Sequence, residues 1–225
     1  MRYWTMAAVA GLLAAGGCGS ANALHPAPGA NALPAPRTGA YATDVGVRLA
    51  ARTKAWNGFP HDLPLYFTPI LVHVTNNGTR PLMMRYKDFT LRRTDTGRTW
   101  AAMPAFRIDK TIPVQRPAYG YNGFAVAPYL GAYYPGWPAY EAFPGFDYDY
   151  FNEYYGEFRN LRLPTPGMLA AALPEGVLQP GGSITGYLYF QHMPDTHAPV
   201  LLQERLESPR GNVFGQVTIP FEENK

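Results

Sequence analysis

The chain has few cysteines and few charged residues. Cys18 is its one cysteine, and charged residues make up 16% of the 225 positions. A lone cysteine excludes a disulfide within the chain. The formal net charge of +3 is too small to indicate binding to nucleic acid. We therefore expect no nucleic-acid partner.

Motifs of nucleotide binding and of nucleophilic catalysis are missing as well. The sequence holds no P-loop, no dinucleotide fingerprint and no G-x-S-x-G. Its three serines, at positions 20, 183 and 208, each stand next to a glycine or a proline. We therefore expect a protein that is not an enzyme and that holds no cofactor and no metal.

Glycine and proline, by contrast, are abundant, with 23 residues of each. This content favours turns and short strands over long helices. Apolar residues alternate along several stretches, as Ile70, Val72 and Val74 do, which is typical of strands that bury one face. The pattern predicts an all-β fold over residues 43–222, an antiparallel β-sandwich of seven to eight strands.

The first seventeen residues, "MRYWTMAAVAGLLAAGG", have the pattern of a secretory signal. Arg2 supplies the positive charge, and residues 6–15 form an apolar run that is too short to span a bilayer. We therefore predict that residues 1–17 are a signal peptide and that the protein is exported.

The stretch "LLAAGGCGS" resembles the signal of bacterial lipoproteins, in which small residues precede a modified cysteine. The resemblance implies cleavage before Cys18, a diacylglyceryl group on its thiol and acylation of the new N-terminus. Several acyl chains on one residue would hold the protein firmly to a membrane. Ala15 stands where leucine is usual in that family. Gly19 follows Cys18 where aspartate would retain the protein at the inner membrane, so the resemblance implies the outer membrane.

Residues 18–42 are rich in alanine, proline and glycine and show no apolar periodicity. Such a composition predicts an extended tether between the lipid on Cys18 and the sandwich.

Two stretches, "VHVTNNGTRPLMMRYKDFTLRRTDTGRTW" and "LPEGVLQPGGSITGYLYF", resemble immunoglobulin-like domains of bacterial extracytoplasmic lipoproteins of unknown role. In the first, Asn77-Gly78 is expected to form a turn with positive φ angles. The Cys-Trp-Cys core of antibody domains is missing. The resemblance therefore implies an immunoglobulin-like architecture and transfers no catalytic residue, because fold alone does not give function.

Half of the aromatic residues lie in one segment, 119–158, which reads "YGYNGFAVAPYLGAYYPGWPAYEAFPGFDYDYFNEYYGEF". It contains ten tyrosines, five phenylalanines, one tryptophan and five acidic residues, but no lysine or arginine. Residues 116–162 are therefore predicted to be an insertion in the sandwich. Disordered segments are poor in aromatic residues, so two alternatives stay open, a docked cover and a binding surface.

Two short helices are also predicted. One runs from about Tyr150 to Leu161 at the end of the insertion, with Asp149 as its N-cap. The other runs from Met168 to Leu173, where Pro174 stops it.

The aromatic insertion is the predicted binding element, and its partner would be an envelope protein or a glycan. Tyrosine and tryptophan offer large contact areas at a small entropic cost, and they are frequent at binding hot spots. The candidate binding residues are Tyr129, Tyr133, Tyr134, Trp137, Tyr140, Tyr148 and Tyr150.

An alternative function is a metal-dependent envelope hydrolase. "HMPDTH" brings His192, Asp195 and His197 close together, and imidazole and carboxylate groups both suit zinc. The spacing matches no known metal motif, so a polar turn is the preferred interpretation. His73, which alternates with the apolar residues of its strand, is expected to be a hydrogen-bonded surface histidine.

Five basic residues are grouped within fourteen positions, and most of them are expected on the solvated face of a hairpin. Contact with anionic lipid or with the acidic aromatic segment is the alternative for this group, which comprises Arg85, Lys87, Arg92, Arg93 and Arg98.

Overall fold

A computed structural model of the chain describes residues 24–34, 39–113, 147–156, 160–193 and 198–223. In these residues the fold is built almost entirely from antiparallel strands, which confirms the predicted all-β class. The strands are β1 (Leu24–Pro26), β2 (Asn31–Ala32), β3 (Gly39–Asp44), β4 (Val47–Arg52), β5 (Phe67–Asn76), β6 (Leu82–Met84), β7 (Phe89–Arg93), β8 (Thr99–Ala101), β9 (Lys110–Pro113), β10 (Asn160–Leu163), β11 (Gly176–Leu178), β12 (Ser183–Gln191), β13 (Val200–Glu207) and β14 (Val213–Glu223).

The strands form two large sheets and one small one. In the first sheet β1, β14 and β13 are neighbours; β13 then pairs with β7 along one half and touches β6 at its end. β8 extends β7, and β11 extends β6. The second sheet has the order β12-β5-β4-β3-β2, and the third is the β9–β10 hairpin.

Alternation of side chains explains how the two large sheets pack. Val47, Leu49 and Ala51 of β4 are at most 1% exposed, whereas Arg48 between them is exposed. Successive side chains of a strand point to opposite faces, so each sheet presents one apolar face to the other. Buried residues of β5, β13 and β14 complete this main core.

A second core lies on the outer face of the five-stranded sheet. Leu188 and Phe190 of β12 point into the main core, so Tyr187 and Tyr189, which alternate with them, point outward. They are covered by the β9–β10 hairpin, by the segment around Trp56 and by helix α2 (Pro166–Ala171). The fold is therefore a sandwich with a third, partial layer over one half of its second sheet.

The predicted strand count is too low. The fourteen strands of the described residues include five that are only two or three residues long, and alternation cannot be recognised over so few positions. The immunoglobulin-like assignment stays a prediction.

The predicted tether of residues 18–42 is wrong for its described part. Leu24 is 1% exposed, β1 pairs with the end of β14, and the Thr53 hydroxyl donates to the Leu24 carbonyl. Strand β2 pairs with β3, which begins at Gly39. These strands are short edge additions whose prolines and glycines hide the pattern, so the sandwich begins at Leu24 rather than at residue 43.

The Asn-rich turn is held by a mechanism other than the predicted one. Asn76 is fully buried, and its side-chain amide donates to the carbonyls of Arg80 and Leu178 while its oxygen accepts from the Gly78 N–H. The positive φ angles occur instead at the β3–β4 turn, at Val45 (43°) and Gly46 (84°). Glycine is needed at 78 because a Cβ there would meet the Val45 carbonyl.

The predicted helices are found with different limits. Helix α1 is Tyr148–Tyr155, whereas Leu161, the predicted end of this helix, lies in strand β10. Asp147, not Asp149, accepts the hydrogen bond from the Tyr150 N–H at its start. Helix α2 is Pro166–Ala171, capped by the Thr165 hydroxyl, which confirms the second helix to within two residues.

No helix in the described ranges is long and apolar enough to cross a membrane.

Candidate binding site

The aromatic insertion emerges from the open end of the β9–β10 hairpin. Pro113 and Asn160 are cross-strand partners there, so the two ends of the insertion start side by side. Ile112, Leu161 and Leu163 of the hairpin are buried in the second core. The insertion is thus attached to a firmly packed base, although residues 114–146 and 157–159 lie outside the described residues.

The base of the insertion packs on an aromatic cluster. The ring of Trp56 lies edge-on to Tyr187 and Tyr189, with centroid distances of 5.0 and 6.0 Å. Edge-to-face pairs of this kind add to the energy of burial. The cluster therefore supports the β9–β10 hairpin from below.

Each polar atom of this cluster has a backbone partner. The hydroxyl of Tyr187 donates to the Ala55 carbonyl, that of Tyr189 donates to the Met168 carbonyl, and the Trp56 indole N–H donates to the Pro60 carbonyl. Burial raises the pKa of Tyr189 well above its usual range. These bonds fix the orientation of the rings, so the cluster serves as scaffold and not as an open binding surface.

Two described tyrosines of the insertion are exposed. Tyr150 and Tyr154 of helix α1 are 46% and 58% exposed, and their ring centroids are 4.9 Å apart. They stand four positions apart, so they lie on one face of the helix. Asp149 and Glu153 on the same helix are exposed as well. The described end of the insertion therefore presents an aromatic and acidic surface to solvent.

The other candidate binding residues stay untested. The backbone of Tyr148 is part of helix α1, but its side chain lies outside the described structure, as do Cys18, Tyr129, Tyr133, Tyr134, Trp137 and Tyr140.

Two of the three residues of the alternative metal site lie outside the described residues. His192 is exposed after β12, whereas Asp195 and His197 fall outside the described residues. Among the residues that are described, no group of three or more His, Cys, Asp or Glu side chains could hold a metal ion.

His73 is a hydrogen-bonded surface residue, as predicted. It is exposed on β5, and its ring nitrogens lie 2.7 Å from the Thr185 hydroxyl and 3.2 Å from the Thr75 hydroxyl.

Three of the five basic residues are exposed, and the other two form ion pairs. Arg93 pairs with Asp95 at a distance of 2.6 Å. Lys87, Arg92 and Arg98 are exposed, as expected, and Arg98 stacks on Trp100. Arg85, however, lies 2.8 Å from Asp88 and 2.5 Å from Glu207. It belongs to an ion-pair network rather than to a solvated face.

Arg205 completes this network, with distances of 2.7 Å to Asp88 and 3.1 Å to Glu207. Both carboxylates are less than 7% exposed, so each arginine compensates charge that has been removed from water. The network joins β13 to the turn before β7.

Glu204 is the polar residue that sequence reasoning missed. It is 1% exposed on the core side of β13, and neither carboxylate oxygen has a hydrogen-bond partner among the described residues. Burial, with repulsion from Asp88 as the smaller cause, raises its pKa to about 8. The alternation of Val200, Leu202, Glu204 and Leu206 was the signal that could have found it, since the pattern puts all four on one face.

Comparisons with known proteins do not assign the chain to a family. No family model matches it, and no curated protein does. A matching solved structure is ycdA of Bacillus subtilis, described only as a candidate lipoprotein, with 14% identity and a TM-score of 0.39. The match covers 81% of this chain but only 38% of that one. Similarity this low does not carry an argument about function.

Proposed function

We propose that the protein is a non-catalytic, lipid-anchored protein of the cell envelope that binds a partner through its aromatic insertion. The N-terminal signal ending in Cys18 supports the anchor, and Gly19 favours the outer membrane. The partner is an envelope protein or a glycan. The observation that carries the binding role is the exposed pair Tyr150 and Tyr154 at the end of a segment whose base is packed against the sandwich.

The described aromatic residues differ in burial: one group is packed in the second core, and another is exposed on helix α1. Tyr187, Tyr189 and Trp56 are covered and hydrogen-bonded, which is how a fold uses aromatic side chains for its own stability. Tyr150 and Tyr154 contribute no such burial. Exposed aromatic residues clustered on one face are a feature of interaction sites, where their rings become covered by a protein or stack on sugar rings.

The anchor is tested by labelling growing cells with a fatty-acid analogue. We expect label on the full chain and none on Cys18→Ser, which should also leave the membrane fraction. Ser20→Ala is the matched control and should behave like the wild type. Equal labelling of Cys18→Ser would contradict lipidation at this residue.

The binding role is tested by replacing residues 114–159 with Asn-Gly. Because Pro113 and Asn160 are already cross-strand partners, a two-residue turn closes the hairpin without disturbing the second core. Wild type and shortened protein are compared for capture of envelope proteins and for binding to a glycan array. Loss of a specific partner or glycan supports the proposal, and identical profiles would contradict it.

A further inference from the structure

One half of the outer face of the five-stranded sheet is left open by the third layer. On β4 the outward residues are Arg48, Ala50 and Arg52, since Val47, Leu49 and Ala51 are buried. Their outward neighbours on β5 are Leu71 and His73, which pair with Arg52 and Ala50. A groove of about 240 Å³ lies here.

The groove exists because its floor is small. Ala50 has Tyr41 on one side and His73 on the other as cross-strand partners, and Arg48 and Arg52 flank it along its own strand. A methyl group among four long side chains leaves a hollow. The lining consists of Leu33, Arg48, Ala50, Arg52, Leu71, His73 and Thr185.

The charge of this hollow is positive and uncompensated in the described part of the chain. Two arginines and a histidine line it, and none of the lining residues is acidic. Neither Arg48 nor Arg52 has an ion pair with a described carboxylate, in contrast to Arg85 and Arg205. The Nε of Arg52 is buried without a hydrogen-bond partner in the same residues. A buried donor without an acceptor is costly, so Arg52 is held beside the groove at a desolvation cost.

Neighbouring contacts hold the donors in place. The guanidinium of Arg48 lies 4.2 Å from the centre of the Tyr41 ring, and His73 is fixed between the hydroxyls of Thr185 and Thr75. Gly39, the strand partner of Arg52, has no side chain, and a Cβ there would clash with the stem of Arg52. The site is therefore preorganised, which lowers the entropy cost of binding.

We propose that this groove binds a phosphoryl group. Arg48 and Arg52 point to the same side of β4 with Cα atoms about 13 Å apart, and both side chains are long enough to reach an anion held above Ala50 between them. Guanidinium groups match phosphate oxygens with paired N–H donors. The Thr185 hydroxyl, which His73 holds in place, also lines the groove and is a further polar partner for the anion. The apolar surface of Ala50, Leu71 and Leu33 suits the carbon part of a phosphate ester.

The site is tested on the full chain with inorganic phosphate as the probe. Phosphate binding is followed by calorimetry or by NMR for the wild type and for the double variant Arg48→Ala/Arg52→Ala. Loss of two charge-assisted contacts should weaken binding by about tenfold or more. Arg92→Ala/Arg107→Ala removes the same charge from exposed positions outside the groove and should bind like the wild type.

A second variant tests the shape of the groove while its positive charge is kept. Ala50→Val keeps both arginines and a residue that favours strands, but it fills the floor of the hollow. It should weaken phosphate binding as strongly as the double arginine variant while leaving the melting temperature nearly unchanged. Equal binding by the wild type, Ala50→Val and Arg48→Ala/Arg52→Ala would overturn the proposal.

Two further probes identify the source of the phosphoryl group. Glycerol phosphate represents soluble esters, and phosphatidylglycerol vesicles represent anionic lipid headgroups, with zwitterionic phosphatidylcholine vesicles, which have no net charge, as their control. The vesicle measurement uses the full chain with Cys18→Ser, so that no acyl chain can insert. Binding of either probe that Ala50→Val abolishes supports the site and names its source. Failure of phosphate, ester and anionic vesicles alike at millimolar concentrations would refute it, whatever the insertion binds.

Discussion

At the scale of single residues, Glu204 makes the stability of the sandwich depend on pH. Its pKa of about 8 in the folded state lies above the ordinary value of 4.5, so the folded protein holds a proton that the unfolded chain releases. The contribution of Glu204 to stability is complete below about pH 4.5 and is lost as pH rises towards 8. The slope reaches at most about 1.4 kcal/mol per pH unit.

Glu204→Gln tests this dependence, because it keeps the shape of the side chain and cannot ionise. We expect wild type and variant to differ in the pH slope of the free energy of unfolding between pH 5 and 8, with the variant flatter. Denaturant titrations at several pH values measure it. Asp109→Asn, at an exposed carboxylate, should keep the wild-type slope. If the free energy of unfolding had the same pH slope in the wild type and in Glu204→Gln, Glu204 would ionise with its ordinary pKa.

Val45 is a second residue with a testable effect on stability, because its β-branched side chain stands at a positive φ angle. Its φ of 43° is unfavourable for a β-branched side chain, and the two-residue β3–β4 turn suits asparagine at this position. We expect Val45→Asn to raise the free energy of unfolding by about 1 kcal/mol. Val213→Asn is the matched control, since both valines are 56% exposed but Val213 lies in a strand. It should be neutral or destabilising, and equal effects would contradict the argument from φ.

At the scale of elements, β1 is part of the sandwich and not of a tether. Leu24 is buried in the main core, so Leu24→Ala should lower the free energy of unfolding by about 2–4 kcal/mol. Asn31→Ala, at an exposed position of β2, should change it little. Thermal or denaturant unfolding measures both variants. If Leu24→Ala left the free energy of unfolding unchanged, the predicted tether over residues 18–42 would be supported instead.

The β9–β10 hairpin should be stable without the insertion that it carries. Leu163 is 1% exposed in the second core, so Leu163→Ala is expected to cost about 2–4 kcal/mol. Replacing residues 114–159 with Asn-Gly should cost much less, because the buried contacts of the hairpin stay intact. Denaturant unfolding followed by tryptophan fluorescence compares the free energies of unfolding of the two variants. A larger loss in the shortened protein would mean that the insertion completes the core.

The sequence predicted those elements that are long enough to show their period. β5, β12 and β13 are each eight or more residues long, and their apolar runs were recognisable as strands. β1 and β2 span three and two residues and owe their form to pairing with β14 and β3, which the local sequence pattern does not reveal. The groove above Ala50 could not be predicted either, because it depends on the register of three strands.

At the scale of the whole molecule, the position of β1 limits how far the sandwich can stand from the membrane. Only five residues stand between Cys18 and Leu24 in the sequence, and the six Cα–Cα steps that join the two span at most about 20 Å. A lipid on Cys18 would thus hold the end of the sandwich that carries β1 close to the bilayer.

The central claim, that the insertion binds a partner in the envelope, is tested most directly by crosslinking in cells. A photoreactive residue is placed at Tyr150 or at Tyr154, and the control carries it at Phe106, an aromatic residue of the sandwich that is 68% exposed. The proposed function predicts a distinct adduct from the two insertion positions that is missing at Phe106. No adduct from either tyrosine, or the same adducts from all three positions, would contradict it.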